Sequence, residues 1–484
     1  MKILLINPPA YRKVEEYDLP TWQHLGIGRL SSYIKQFGHQ VTLIDAKLQC
    51  LEISDIVNLI KKINPEIIGL TAMTIDLKNA YALAKKIKEI NKEIIIVIGG
   101  CHATVMPLKT LIEEPCIDYL VFGEGERTFK ELLDVLENNL PFESLKKIKG
   151  LCFRNNSKVI QNEIRDWDLK VEELPIPDWQ LSQYATHYKL ETARGCPFQC
   201  THCMRVLGQS VRNFPIEKIL LEFESILKKK DFLTMEIVDE TFTLNSKRIN
   251  NLLDGMINLG VGKKIKWYCS TRANLVTKEL LVKMRRAGCY MVCFGVESGN
   301  PRVIKNNKKN INLKEVEKAV KLVRYSGMKS FLSFILGHPD ETLSEMIDSI
   351  NFATKVNPDI VAIGTMVPYP GTEIAEIVKK GEGNYKLLSR DWTEYNRQFS
   401  HVLELNDISK TDMDRVQMLG TLKLYLYNLR LLELMKFAYD YRRQSIHFFR
   451  ELFTSKKGIT KPKVSFLKLA KMILVDDLFK MEGK

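Results

Sequence analysis

The stretch YKLETARGCPFQCTHCMR, Tyr188 to Arg205, joins a short apolar run to three cysteines at 196, 200 and 203. The run reads as a β-strand, and it opens a series in which strand-type runs alternate with helix-type segments. The series continues with FLTMEIVD (232–239), KIKWYCST (264–271), YMVCFGVES (290–298), KSFLSFILG (329–337) and DIVAIGTMVP (359–368). Helical periodicity fills the intervals, as in IEKILLEFESILKKK (216–230) and LKEVEKAVKLVRYSG (313–327). Six βα units predict a partial (β/α)6 barrel whose functional residues lie at the C-terminal ends of its strands. The cysteine loop leaves the first of those ends.

Upstream lies an earlier series of the same kind: KILLIN (2–7), QVTLID (40–45), EIIGLT (66–71), EIIIVIGG (93–100) and IDYLVFG (117–123), with helical stretches such as LKNAYALAKKIKEI (77–90) between them. Five such units predict a doubly wound parallel sheet of flavodoxin type, which binds ligands beyond its strands' carboxyl ends. Turn residues gather at those ends, at NPP (7–9), GG (99–100) and GEGE (123–126). Around EELPIPDWQ, Pro175 and Pro177 favour extended chain. The expected organisation is an N-terminal α/β domain over 1–145, a linker over 146–186, the barrel over 187–375 and a mostly helical C-terminal region over 376–484.

A chain of 484 residues with 27% charged and 45% hydrophobic residues has globular composition, and no apolar run approaches the roughly 18 residues of a membrane span. The opening MKILLINPP reads as a strand rather than a signal peptide. Ten cysteines without an export signal imply a reducing, cytoplasmic setting, where clustered thiols serve metals or catalysis. Cys50, Cys116 and Cys152 stand alone; Cys269, Cys289 and Cys293 read as core packing rather than a second cluster. The net charge of +14 is spread along the chain and implies a solvated surface, with no nucleic-acid partner expected. From His401 to Lys484, 16 Lys or Arg stand against 10 Asp or Glu among apolar runs. Such a pattern packs helices on a barrel, or meets a lipid substrate or a membrane surface.

Three thiols on one Gly/Pro loop suit an inorganic cluster. A closed zinc site takes four ligands, and His202 could complete one; chance core cysteines are the other alternative. A 4Fe–4S cluster held by three thiolates instead keeps one iron open to chelate a substrate or cofactor.

The Cys-x3-Cys-x2-Cys loop after the first barrel strand resembles the signature of the radical S-adenosylmethionine (SAM) superfamily. The resemblance implies a 4Fe–4S cluster on Cys196, Cys200 and Cys203, with His202 against the adenine of SAM. VDETFT (238–243) resembles the motif that grips the SAM amino group, through Asp239 or Glu240. STRAN (270–274) places Arg272 toward the SAM carboxylate or ribose, and GVESG (295–299) places Glu297 and Ser298 near the ribose. GHPDET (337–342) and YPGT (369–372) are also family-typical, with an adenine contact implied near Met366.

Joined to the first series, these motifs resemble the cobalamin-binding branch of that superfamily. For residues 1 to about 375 the resemblance implies cobalamin contacts from Asn7, Pro8 and Pro9, from Gly26 in WQHLGIGRLSSYI, and from Ala72, Met73 and Thr74. It adds Gly99, Gly100 and His102 in IGGCHATVMP, and Gly123, Glu124 and Gly125 in VFGEGERTF. The chain lacks the Asp-x-His-x-x-Gly motif that supplies a histidine to cobalt, so base-off cobalamin with no histidine ligand is expected. The branch's chemistry implies reductive cleavage of SAM to a 5′-deoxyadenosyl radical and methylation of an unactivated carbon, or phosphorus, of a specialised metabolite or lipid. Its alternative is radical cyclisation, ring contraction or oxidation without methyl transfer. A flavodoxin or ferredoxin is implied as the low-potential electron donor.

Overall fold

The computed structural model describes residues 1–10, 21–156, 158–167, 169–228, 233–397, 400–440 and 460–475. The chain forms two compact units, one of Met1–Pro197, Met204–Cys269 and Arg286–Cys289, the other of Phe198–Cys203, Ser270–Arg285 and Tyr290–Lys484.

The first unit contains a sheet of seven strands: β1 (Lys2–Asn7), β2 (Gln40–Asp45), β3 (Ile67–Thr71), β4 (Ile95–Gly99), β5 (Tyr119–Val121), β6 (Leu151–Asn155) and β7 (Lys158–Gln161). Their order is β2-β1-β3-β4-β5-β6-β7. β1 to β5 pair in parallel, in the flavodoxin order expected from the sequence. β1 is buried on both faces, as parallel strands covered by helices must be. Chain order reverses between β1 and β3, so the crevice at their carboxyl ends is the ligand position of this topology.

Residues 146–186, expected to be a linker, include the antiparallel hairpin β6–β7, which extends the sheet beside β5. Leu151, Cys152 and Phe153 are fully buried there, while Asn156 turns the chain at φ 53°. Its NNSK turn reads as loop, and the three apolar residues before it are too short a run to signal a strand. EELPIPDWQ itself contains no α-helix or strand.

The second series forms β8 (His187–Leu190), β11 (Leu233–Ile237), β12 (Ile265–Thr271), β13 (Cys289–Glu297), β14 (Lys329–Leu336) and β15 (Ile360–Thr365), in one six-stranded sheet ordered as the chain runs. This is the partial barrel. YKLETAR is not one continuous strand. It breaks after Leu190, and Ala193–Arg194 (β9) pairs antiparallel with Arg212–Asn213 (β10). The break has a local cause: the amides of Thr192 and Ala193 are bound by the Asp239 carboxylate at 2.6 and 3.1 Å.

In the second unit the C-terminal region adds a long helix, Lys410–Tyr427, with a capping box from Ser409 and Asp412. A short hairpin, Tyr385–Leu387 with Leu403–Leu405, interrupts the expected helical run. The helix Leu431–Asp440 leaves Leu431, Leu432, Met435 and Tyr439 between 54% and 82% exposed, a face no described residue covers. The remainder of the basic apolar stretch, 441–459, lies outside the described residues. Among those described, no helix is long and apolar enough to cross a membrane.

Candidate active site

At the carboxyl ends of β1, β3, β4 and β5 the first unit encloses a cavity of about 290 Å³. Leu5, Ile27, Leu70, Val97, Val121 and Phe129 give it an apolar wall, and Thr71, Thr104, Glu124 and Arg194 add polar groups. Of the residues expected at cobalamin, Gly26, Met73, Gly99, Gly100, Gly123, Glu124 and Gly125 line it. Gly123 has φ 79° and open space where a Cβ would stand, so the backbone itself can meet a ligand there. Met73 is 55% exposed, the outward side chain of the loop after β3.

The other expected residues sit behind this wall. Asn7 donates to Asp45 at 2.8 Å, Pro8 is buried, and the Pro9 carbonyl accepts from Asn79. Ala72 and Thr74 are buried, and Thr74 Oγ1 lies 3.2 Å from His102 Nδ1. Burial lowers the His102 pKa to about 4, so the ring is neutral, and it does not line the cavity.

A histidine missed in the sequence does line it. His24 caps the helix Leu25–Lys35, its Nδ1 accepting from the Ile27 amide at 3.3 Å. Burial lowers its pKa. A ring that accepts at Nδ1 carries its proton on Nε2, which makes His24 a candidate donor to a ligand in the cavity. The cap position in WQHLG, just before a helix-type run, was the available signal.

Cys196 belongs to the same unit. Arg194, two residues before it, donates from Nη1 to Glu124 at 2.9 Å and from Nε to Glu191 at 3.0 Å, and its Nη2 lies 2.9 Å from Glu126. Burial opposes the charge on Arg194, but the three carboxylates outweigh it and hold the guanidinium protonated. Gly195, at φ 93°, packs so closely on the Ser210 carbonyl that no Cβ fits. Asp239 is committed to Thr192 and Ala193, whereas Glu240 beside it is exposed.

Cys200, His202 and Cys203 belong to the second unit. Burial raises the Cys200 thiol, while Lys309 and Arg272 draw it toward the thiolate. Cys203 is exposed. His202 Nδ1 lies 3.1 Å from Asn307 Oδ1, and its Nε2 lies 3.8 Å from Glu297. Lys309 donates to Glu297 at 2.8 Å, and both are buried. Burial opposes ionisation of Glu297, yet Lys309 and His202 hold its carboxyl down at about 2. Glu297 ends β13 at φ 70°, where the β13–β14 register shifts. Such a conformation in a non-glycine residue is strain of the kind held at functional sites. Arg272 stacks 3.9 Å from the Phe198 ring centroid and binds the carbonyls of Lys309 and Asn310. Lys309 and Asn307 were not found in the sequence reading, because they lie on a loop with no motif. Ser298 is held by Ser349 at 3.1 Å and Met366 packs in the core, so neither is presented to a ligand.

Two observations bear on cofactor fit. Arg272 Nε, Glu297 Oε2, Asn307 Nδ2, His338 Nδ1 and Thr365 Oγ1 are buried without partners near the ends of β12 to β15, donors and acceptors suited to a zwitterionic, ribose-bearing ligand. The three loop thiols supply the soft donors a cluster needs. Among the described residues no three His, Cys, Asp or Glu side chains are gathered to hold an ion. Cys269 and Cys289 are fully buried.

Glu341, in the turn after β14, supplies a pH test. It accepts the amides of Gly337 and His338 at 2.7 and 2.9 Å, and burial raises its carboxyl to about 8. A folded pKa above the unfolded one gives stability that is lost as pH rises through the folded value. Glu341→Gln therefore gains on wild type by ~1.4 kcal/mol per pH unit between about pH 5 and 8. Denaturation midpoints across that range measure it; a constant difference would contradict the assignment.

The B12 binding domain family matches residues 19–133, and the radical SAM superfamily matches 190–353. An uncharacterised methyltransferase of Pyrococcus horikoshii is 35% identical over 88% of this chain and 93% of its own length. The chain belongs to the cobalamin-binding radical SAM family. Its cofactors are those of the two domain families, cobalamin for the first and SAM with a 4Fe–4S cluster for the second. An anaerobic magnesium-protoporphyrin IX monomethyl ester cyclase of Rubrivivax gelatinosus is 26% identical over 77% of this chain and 69% of its own. The cobalamin-dependent SAM radical enzyme OxsB shares the fold, with a TM-score of 0.74 at 19% identity, over 99% of this chain and 80% of its own. This radical SAM enzyme therefore has the architecture expected from its sequence: a flavodoxin-type cobalamin domain, a partial barrel and a largely helical C-terminal region.

Proposed function

We propose that this radical SAM enzyme is a methyltransferase acting on an unactivated carbon, or on phosphorus, of a specialised small molecule or lipid. The observation that carries the reading is its 35% identity to a relative named as a methyltransferase, spread over 88% of the chain. Bound, the cluster supplies the electron for SAM cleavage and cobalamin supplies a carrier for the methyl group.

The chain's own residues bind, orient and exclude water. Cys196, Cys200 and Cys203 ligate the cluster. His202, Arg272 and Glu297, with Lys309 and Asn307, hold SAM, and exposed Glu240 rather than Asp239 meets its ammonium. The glycine-rich cavity wall receives part of the corrinoid, with His24 donating from Nε2. The absence of an Asp-x-His-x-x-Gly motif from the sequence supports base-off cobalamin. The exposed apolar side chains of 429–439, with Arg430 and Lys436 among them, suit a lipid substrate or a membrane surface. A net charge of +14 suits an acidic electron donor such as a flavodoxin or ferredoxin.

The cyclase relative favours a second reading, radical cyclisation or oxidation without methyl transfer. Product stoichiometry separates the two. With reductant, cobalamin and substrate, methyl transfer yields S-adenosylhomocysteine in step with 5′-deoxyadenosine, whereas 5′-deoxyadenosine alone would favour the second.

A further inference from the structure

Arg194 joins the two cofactor regions of the first unit. It lines the cavity with Glu124 and Glu126, and it stands two residues before Cys196. Glu124 is also held by Arg212, whose Nη1 donates to its other oxygen at 2.5 Å, and Arg212 is the ladder partner of Arg194 across β9–β10. Glu124, Glu126, Glu191 and Arg194 are each at most 7% exposed, so little water screens the cluster. The backbone between Arg194 and Cys196 has no slack. Gly195 is pressed on Ser210, and the Cys196 amide donates to the Gly208 carbonyl at 3.2 Å.

We infer that Arg194 is a positioning residue that couples the cobalamin cavity to the first cluster ligand, so that each cofactor changes the affinity for the other. The inference rests on the cofactor placement proposed above. A ligand that bears on the Glu124 loop bears on the guanidinium, and through one residue on Cys196. By linkage the effect is reciprocal.

Hydroxocobalamin affinity is measured by absorbance titration on full-length protein, with and without a reconstituted cluster. In wild type the two dissociation constants are expected to differ by about 5- to 100-fold. Arg194→Lys keeps the charge but loses the three-way fork, and brings the ratio close to one. Glu126→Gln removes one arm while Glu124 and Glu191 still hold Arg194, and lowers the ratio part-way. It keeps the inference testable should the lysine variant fail to fold. Glu114→Gln, a buried carboxylate paired with Lys85 that does not line the cavity, leaves the ratio as in wild type. Equal affinities in wild type, or a full ratio in both variants at Arg194 and Glu126, overturn the coupling while leaving the cofactor sites intact. Wild type that retains iron but binds no cobalamin sinks the placement, and the coupling with it.

Discussion

Replacing Cys196, Cys200 and Cys203 together by alanine is expected to bring iron content and 5′-deoxyadenosine formation to background while cobalamin still binds. None of the three thiols lines the cobalamin cavity, although Arg194, Val206 and Leu207 beside them do, so cobalamin binds with only the affinity change that the coupling at Arg194 imposes. Iron and labile sulfide assays, with chromatography of the nucleoside product, give the comparison. Iron retained at wild-type levels would place the cluster elsewhere.

The second large effect falls on stability. Lys309→Met leaves the Glu297 carboxylate buried, ionised and without its cation, and breaking such a pair costs about 3–5 kcal/mol. Adding Glu297→Gln removes the stranded charge and restores much of that loss, because the double variant buries no unpaired ion. Urea denaturation of the two single variants and the double gives the coupling. If the double variant is no more stable than Lys309→Met, the pair is not the source of the loss. The same variants are expected to weaken SAM binding, because the pair lies beside His202, whose Nε2 is 3.8 Å from Glu297.

The fold was legible because each strand carries its own evidence. KILLIN, QVTLID and LKNAYALAKKIKEI became elements with the boundaries their patterns implied, since an apolar run between turn residues or a 3.6-residue period is a local signal. The β6–β7 hairpin was hidden because its turn residues dominate so short a segment. The cysteine loop was equally plain, its spacing being a property of one stretch.

What escaped the sequence depends on distant residues meeting. Lys309 acquires its partner only opposite Glu297, and Arg194 is held only where the segment of Glu124 and Glu126 meets its own Glu191. His24 lay inside a quoted motif, but its role follows from the helix cap that fixes its tautomer. Asp239 shows the converse. Its motif pointed to a ligand contact, yet its carboxylate satisfies the two amides freed where the first barrel strand breaks.

Anaerobic reconstitution with iron, sulfide and hydroxocobalamin, followed by reduction in the presence of SAM, tests the central claim most directly. The account predicts about four irons and four sulfides per chain, bound cobalamin, and 5′-deoxyadenosine released on reduction. Zinc without sulfide, or a complete cluster that leaves SAM uncleaved, would contradict it.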